Sequence, residues 1–337
     1  MGIQASQEAN LPTAYELKDI ISNLLNIQFD YWHKQEKGDL LIASALQTYL
    51  IENKINNNIT PYLQDVWHIR DALPLAQSID TFIHAQRDNV IIITCGKLAI
   101  VRAILEAEKA SRLYFTRDRI DSTVAFTSLE STWYTPFFRL LVGDCTKNDL
   151  KTRFASVTLL IFNYDRCVEH FLLSALQNYF KISESDAAKF ISYLNIYHPY
   201  GSVGSLPWCN NDDSVDFGAD PTLEQLLKLA KKIKTFTEGA DPYSSEILQI
   251  RRKMAKADML IFLGFAFHKL NMELIVPDHD FTIQNPKCYA TAHGISSYDQ
   301  PVIRTQIDGL YNSTINSTIV NSTCSAFFAE CWRSLAF

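Results

Sequence analysis

The sequence predicts an α/β protein, a doubly wound parallel sheet carrying a long helical insertion. Three observations carry that expectation. Beyond residue 155 short apolar runs alternate with amphipathic stretches, the order expected of strand–helix–strand units. The runs VTLLIFN and DMLIFLGFAF read as strands buried in a sheet that helices cover on both faces. Between residues 31 and 153, in contrast, the apolar spacing is mostly helical. The chain therefore reads as one domain over 1–337, with a core made of 1–30 and 154–337 and a helical insertion at 31–153.

Taken in order, residues 13–30 place apolar side chains at helical spacing, with Pro12 just ahead of the first turn and Thr13 able to cap it. Helices are expected over 39–55, 62–88 and 97–115. The run VIIIT at 90–94 fits either a strand or the buried start of the third of these. A further helical block covers 127–142, interrupted at Pro136, and its Trp133–Tyr134 and Phe137–Phe138 pairs read as core. In the second half the expected order is strand VTLLIFN, helix CVEHFLLSALQNYF, strand and loop NIYHPYGS, helix EILQIRRKMAKA and strand DMLIFLGFAF. A helix beginning at KLNMELI, strand KCYATAHG and a closing helix CSAFFAECWRSL complete it. Residues 210–221 read as an acidic, mobile loop, and Lys228 to Lys234 as the solvated face of a helix.

Composition narrows the function. A hydrophobic content of 47% excludes a disordered chain, and a net charge of −6 argues against phosphate-tracking nucleic-acid binders. No apolar run approaches a membrane span, and the amino terminus lacks a signal-peptide pattern. The seven cysteines are scattered without a C-x-x-C pair, which points to neither zinc nor a disulfide framework and to a reducing cytoplasm. Asn-Ser-Thr sequons at Asn312, Asn316 and Asn321 read as a polar, strand-prone loop. Asp278-His279-Asp280 reads as a surface loop, since three consecutive side chains do not converge on one ion.

The chemistry concentrates where VTLLIFN stops at Asn163 and Asp165, and where the next strand runs into His198, Tyr200, Gly201 and Ser202. Parallel sheets bind ligands at the carboxyl edge of their strands. These residues resemble the paired signature of the sirtuin family: a strand ending in Asn-x-Asp, then a loop ending in His-Gly-Ser. Glu169, the Leu263-Gly264-Phe265 strand end, Asn271, the Ala290-Thr291-Ala292-His293-Gly294 loop and the closing helix follow in the order of bacterial sirtuin-like defence domains. The resemblance implies a Rossmann-like fold and NAD as a substrate. It implies cleavage of the nicotinamide–ribose bond in antiviral defence, and either self-association or a separate sensor protein. The charge and the lack of an apolar span leave no membrane or direct nucleic-acid partner expected, and the four-cysteine zinc module of deacylating sirtuins has no counterpart here.

By the same resemblance Asn163 orients water or a ribose hydroxyl and Asp165 holds the carboxamide. Gly2, Ala5 and Ser6 form the phosphate-binding turn. Gly201 and Ser202 line the loop, Gly264 and Phe265 meet the adenosine half, Asn271 contacts ribose or adenine, and His293-Gly294 borders the adenine pocket. The chain departs from the pattern in three places. Tyr200 stands where the family has its histidine, and a phenol with a pKa of about 10 is a poor base at neutral pH. His198, two residues earlier on an extended segment, faces the same way and takes over as base. Gln4 replaces the second glycine of the turn and crowds the diphosphate, and the apolar strand that precedes the first glycine in the family is expected upstream of Met1. These departures motivate the alternative of a nucleotide-binding scaffold without turnover.

Overall fold

The computed structural model describes residues 1–32, 34–116, 122–235, 238, 243–277, 285–311 and 315–336. The chain opens on a short helix α1 (Ile3–Gln7), followed by α2 (Ala14–Leu24). Thr13 and Glu16 form a capping box at the start of α2, each side chain accepting from the other residue's backbone N–H. A two-stranded hairpin, β1 (Gln28–Phe29) and β2 (Gln35–Lys37), leads to α3 (Leu40–Glu52), capped by Asp39. The stretch expected as one helix over 62–88 is two, α4 (Leu63–Ala72) and α5 (Ile79–Ala85). Pro74 turns the chain into a 3-10 turn after α4, and Ser78 starts α5 afresh by accepting from the Thr81 N–H.

The ambiguous run at 90–94 is the first turn of α6 (Val90–Ala110), because the Asn89 side chain caps the Ile91 and Ile92 amides. Pro136 lies in the first turn of α7 (Tyr134–Val142), where its missing N–H costs nothing, so it interrupts no helix. The second half runs α8 (Leu150–Ala155), β3 (Thr158–Leu160), α9 (Cys167–Phe180), α10 (Glu184–Ile191), β4 (Asn195–Tyr197), α11 (Leu223–Ala230) and α12 (Ser245–Ala255). It continues with β5 (Met259–Phe262), α13 (Lys269–Leu274), β6 (Lys287–Thr291), α14 (Gln300–Leu310), β7 (Ser317–Val320) and α15 (Cys324–Leu335). The sequons at Asn316 and Asn321 flank β7; that at Asn312, like Asp278-His279-Asp280, lies outside the described residues.

The strands after residue 155 pair in parallel as two small sheets, β3 with β4 and β5-β6-β7. Both are covered by helices on two faces. Leu260 and Phe262 of β5 join a core with α2, α3, α4, α6 and α11, while Leu159 of β3 and the neighbouring Ile161 and Leu263 join one with α7, α9, α10 and α15. The expected single sheet therefore stands as two parallel pieces. The amino terminus bridges them. The Met1 amine donates to the Leu160 carbonyl (2.6 Å), Phe162 N–H to the Met1 carbonyl (3.1 Å), and Gly2 N–H to the Leu263 carbonyl (3.0 Å).

Residues 210–221, expected to be mobile, are tied to the core. Arg166 donates to the carbonyls of Val215 and Asp216, and Gly218 N–H donates to the buried Glu108 carboxylate. No helix among the described residues is long and apolar enough to cross a membrane.

Candidate active site

A cavity of about 140 Å³ opens beyond the carboxyl end of β3. Its walls include four segments far apart in sequence. They are the amino terminus (Gly2, Ser6), the loop after β3 (Asn163, Asp165), the turn after β4 (Tyr200) and the loop after β5 (Phe265, Asn271). These are seven of the twelve residues singled out above.

Asn163, Ser6 and Asp165 form one chain of buried hydrogen bonds. The Asn163 amide nitrogen donates to Ser6 Oγ (2.7 Å), and Ser6 Oγ donates to Asp165 Oδ2 (2.8 Å). Asp165 Oδ1 accepts the Cys167 N–H (3.1 Å), so this carboxylate also anchors the first turn of α9. With its nitrogen committed to Ser6, Asn163 is fixed in rotamer. Its side-chain oxygen is left to accept from whatever enters the cavity.

The turn after β4 separates His198 from Tyr200. Gly201 N–H donates to the His198 carbonyl (2.8 Å), closing a β-turn with Pro199 at its second position and Tyr200 at its third. That turn ends the extended geometry under which both side chains would face the same way. Tyr200 lines the cavity, 4% exposed, and its hydroxyl donates to Asn271 Oδ1 (2.7 Å). Burial, and secondly the charge of Asp80, push its pKa far above the ordinary phenol value. It serves the cavity as a neutral hydrogen-bonding wall.

His198 lies behind that wall. Its Nε2 is 2.7 Å from Glu169 Oε1 and its Nδ1 is 3.2 Å from the Asn163 carbonyl oxygen. Both neighbours are acceptors, so both ring nitrogens donate in the imidazolium form. Burial alone would lower the pKa of His198, but the Glu169 carboxylate outweighs it and holds the pKa above the usual histidine value. His198 thus braces the backbone of Asn163 rather than facing the cavity as a free base.

The remaining expected residues sit around this centre. Gly2 packs so tightly that a Cβ would stand 2.3 Å from the Gly264 carbonyl oxygen. Gly264 has φ +57° and donates its N–H to Thr291 Oγ1 (2.8 Å). Ala5 is buried in the second core, its carbonyl accepting from Trp133 Nε1 (2.6 Å). Gly201, at φ +77°, lies against the Lys232 carbonyl, and Ser202 Oγ donates to the Gly204 carbonyl (3.2 Å). His293 is exposed. The side chain of Gln4 lies outside the described residues, so the crowding expected of it has no structural account.

Three titratable cavity residues had no signal in the sequence: Asp80, Tyr164 and His268. Asp80 comes from α5 of the insertion, and the Tyr164 hydroxyl donates to its carboxylate. Burial raises the Asp80 pKa, opposed by the Tyr164 hydrogen bond and the nearby His268. Asp80 and Asp165 are the carboxylates on the cavity wall, and among the described residues no Lys or Arg joins them there. The cavity therefore favours a cationic or neutral polar group over an anion. No protein-family model, curated protein or solved structure matches this chain.

Proposed function

We propose that the chain is an NAD-consuming glycohydrolase that hydrolyses the bond between nicotinamide and ribose. The observation that carries this reading is the Asn163–Ser6–Asp165 chain of hydrogen bonds facing a cavity rimmed by carboxylates. The nicotinamide ring of NAD is cationic and leaves as a neutral molecule, so its departure needs little acid help. A site for it must hold a cation, stabilise an oxocarbenium-like ribose and aim a water at C1′. In this proposal the C1′–N bond breaks with its electron pair going to nicotinamide. Asn163 Oδ1 orients the attacking water, Asp80 takes the proton that water loses, and the products are ADP-ribose, nicotinamide and a proton. His198 and Glu169 act as positioning residues beneath Asn163, and Tyr200 and Asn271 line the ribose side.

At about 140 Å³ the cavity is smaller than the roughly 300–1,000 Å³ of common ligand pockets. A dinucleotide enters only if the wall formed by α5 and His268 moves. The proposal therefore includes a trigger: self-association or a separate sensor protein that opens the cavity, in a cytoplasmic defence setting. It also takes β4-β3 and β5-β6-β7 as halves of one doubly wound, Rossmann-like sheet. The test is nicotinamide release from NAD by the protein, and cellular NAD during its expression. Loss of NAD that Asn163→Ala abolishes is expected. Intact NAD in both settings, or loss unaffected by Asn163→Ala, refutes the reading.

A second reading, a nucleotide-binding scaffold without turnover, is favoured by the neutral Tyr200 and the doubly anchored His198. Calorimetric binding of NAD or ADP-ribose with no nicotinamide released would select it.

A further inference from the structure

With α5 in place, the cavity beyond β3 has room for one small molecule. A volume of about 140 Å³ corresponds to about six to eight heavy atoms, since an apolar cavity of about 150 Å³ holds one benzene. We infer that the closed cavity binds a small quaternary ammonium ion with a short hydroxyl arm, choline being the simplest of that class. The binding holds with or without turnover of NAD, and only its effect on NAD entry rests on the function proposed above.

Charge and ring geometry select the cationic head. Asp80 and Asp165 line the space, and among the described residues no Lys or Arg balances them there. Four aromatic side chains, Phe162, Tyr164, Tyr200 and Phe265, line it as well. Phe162 is inclined by 61° to Tyr200 at 6.0 Å between ring centroids, and by 65° to Phe265 at 5.0 Å. These rings meet as the walls of a corner and not as a stack. Such a corner beside a carboxylate attracts a methylated ammonium through the ring quadrupoles, with no hydrogen bond required.

The hydrogen bonds of the wall decide between kinds of cation. Asp165 accepts from Ser6 Oγ (2.8 Å) on one oxygen and from Cys167 N–H (3.1 Å) on the other. Asp80 accepts from the Tyr164 hydroxyl, and Asn271 Oδ1 from the Tyr200 hydroxyl (2.7 Å). A primary ammonium or a guanidinium brings several N–H donors, and this wall leaves most of them unmet. A quaternary ammonium brings none. Two polar atoms remain without a partner among the described residues, the acceptor Asn163 Oδ1 and the donor Asn271 Nδ2, on side chains that are both more than nine-tenths buried. A hydroxyl is the smallest group able to donate to the first and accept from the second. The occupant also joins two parts of the fold. Asp80 belongs to α5 of the insertion, whereas Phe162, Tyr200 and Phe265 come from the loops after β3, β4 and β5. A cation held by both keeps the α5 wall closed and opposes the opening that NAD entry requires.

The experiment is calorimetry on the full chain at mildly alkaline pH, which keeps Asp80 ionised although burial raises its pKa. Three probes are compared: choline, its neutral carbon analogue with a tert-butyl group in place of trimethylammonium, and ethanolamine. The inference expects one saturable site that binds choline roughly tenfold or more tighter than either of the others. Asp80→Asn, which keeps an acceptor for Tyr164, and Phe162→Leu should each weaken choline by about fivefold or more. Amide exchange along α5 should slow with choline and stay unchanged with the neutral analogue. The comparison of probes on the native chain decides even where a variant fails to fold. Absence of saturable choline binding at millimolar concentration, equal affinity for the neutral analogue, or undiminished binding in both folded variants overturns the inference. Ethanolamine binding as tightly as choline overturns it too, and assigns the cavity to a hydrogen-bonded ammonium. None of these readouts uses NAD, so nicotinamide release judges the glycohydrolase reading separately.

Discussion

The loop that carries Asn163 and Asp165 ends in a buried ion pair whose removal has a calculable consequence. Glu108 of α6 is 0% exposed, and its carboxylate accepts from Arg166 N–H (3.0 Å), Nε (3.1 Å) and Nη2 (2.6 Å), and from Gly218 N–H (3.0 Å). Glu108→Ala leaves a guanidinium that is 2% exposed without its counter-charge, and two backbone amides without acceptors. Breaking one side of such a pair costs about 3–5 kcal/mol. For 337 residues the unfolding entropy is roughly 0.7 kcal/mol/K, so Tm should fall by roughly 4–7 °C. The double variant Glu108→Leu with Arg166→Met separates charge from packing. Removing both charges ends the desolvation penalty, but the carbonyls of Ser205, Val215 and Asp216 lose the Arg166 donors. Recovery should be partial, leaving a deficit of about 1–3 kcal/mol. Urea denaturation of the native chain and the two variants gives these values. A loss below about 1 kcal/mol in Glu108→Ala, or a double variant less stable than the single one, would refute the reasoning.

Three further outcomes follow from the same geometry. The raised His198 pKa means that the His198–Glu169 pair contributes its full stability below the ordinary histidine value of about 6.5, and loses it as pH rises through the folded value. Tm measured against pH should fall across that window in the native chain and flatten in Glu169→Gln; parallel curves would count against the pairing. Gly2→Ala places a Cβ 2.3 Å from the Gly264 carbonyl oxygen and 2.9 Å from Phe265 Cα, both backbone atoms. It should destabilise by about 1–3 kcal/mol, and an unchanged Tm would contradict the packing at the sheet bridge. Tyr164→Phe removes the hydroxyl that holds down the Asp80 pKa, at a stability cost of about 1 kcal/mol. Carbon-detected NMR should show Asp80 titrating at higher pH, and no movement would mean that burial alone sets its pKa.

The strand ends were legible because an apolar run that stops at Asn163 and Asp165 is a local signal, and so was the Thr13 cap. The turn after β4 was not read correctly, although its determinant was visible. Pro199 favours a β-turn, and a turn breaks the alternation on which the pairing of His198 with Tyr200 depended. The break within 62–88 is of the same kind, since Pro74 and Ser78 stand in plain view. The anchoring of Val215, Asp216 and Gly218 within the loop-like 210–221 was not legible for another reason. That segment is polar and loop-like in composition, and its anchors, Glu108 and Arg166, lie elsewhere in the chain. Asp80 was beyond the reach of any local pattern. It is 84 residues from Tyr164, on a helix whose periodicity reports only which face is buried. Tertiary folding alone brings it to the cavity.

The loop after β3 shows how that folding links the insertion to the candidate chemistry. Its alternate residues reach in different directions. Asn163 and Asp165 bond to Ser6 at the amino terminus, while Tyr164 bonds to Asp80 on α5 and Arg166 to Glu108 on α6. An insertion attached only at its ends could drift without altering the cavity. This one holds two of four consecutive residues and also supplies a wall, so a movement of α5 large enough to admit a ligand must break or carry the Tyr164–Asp80 bond. Opening therefore changes the environment of Asp80 and tugs on the backbone between Asn163 and Asp165 in the same step. An effector that binds the insertion better in its displaced position would thereby bias both access and the alignment of Asn163, with no contact to the cavity itself.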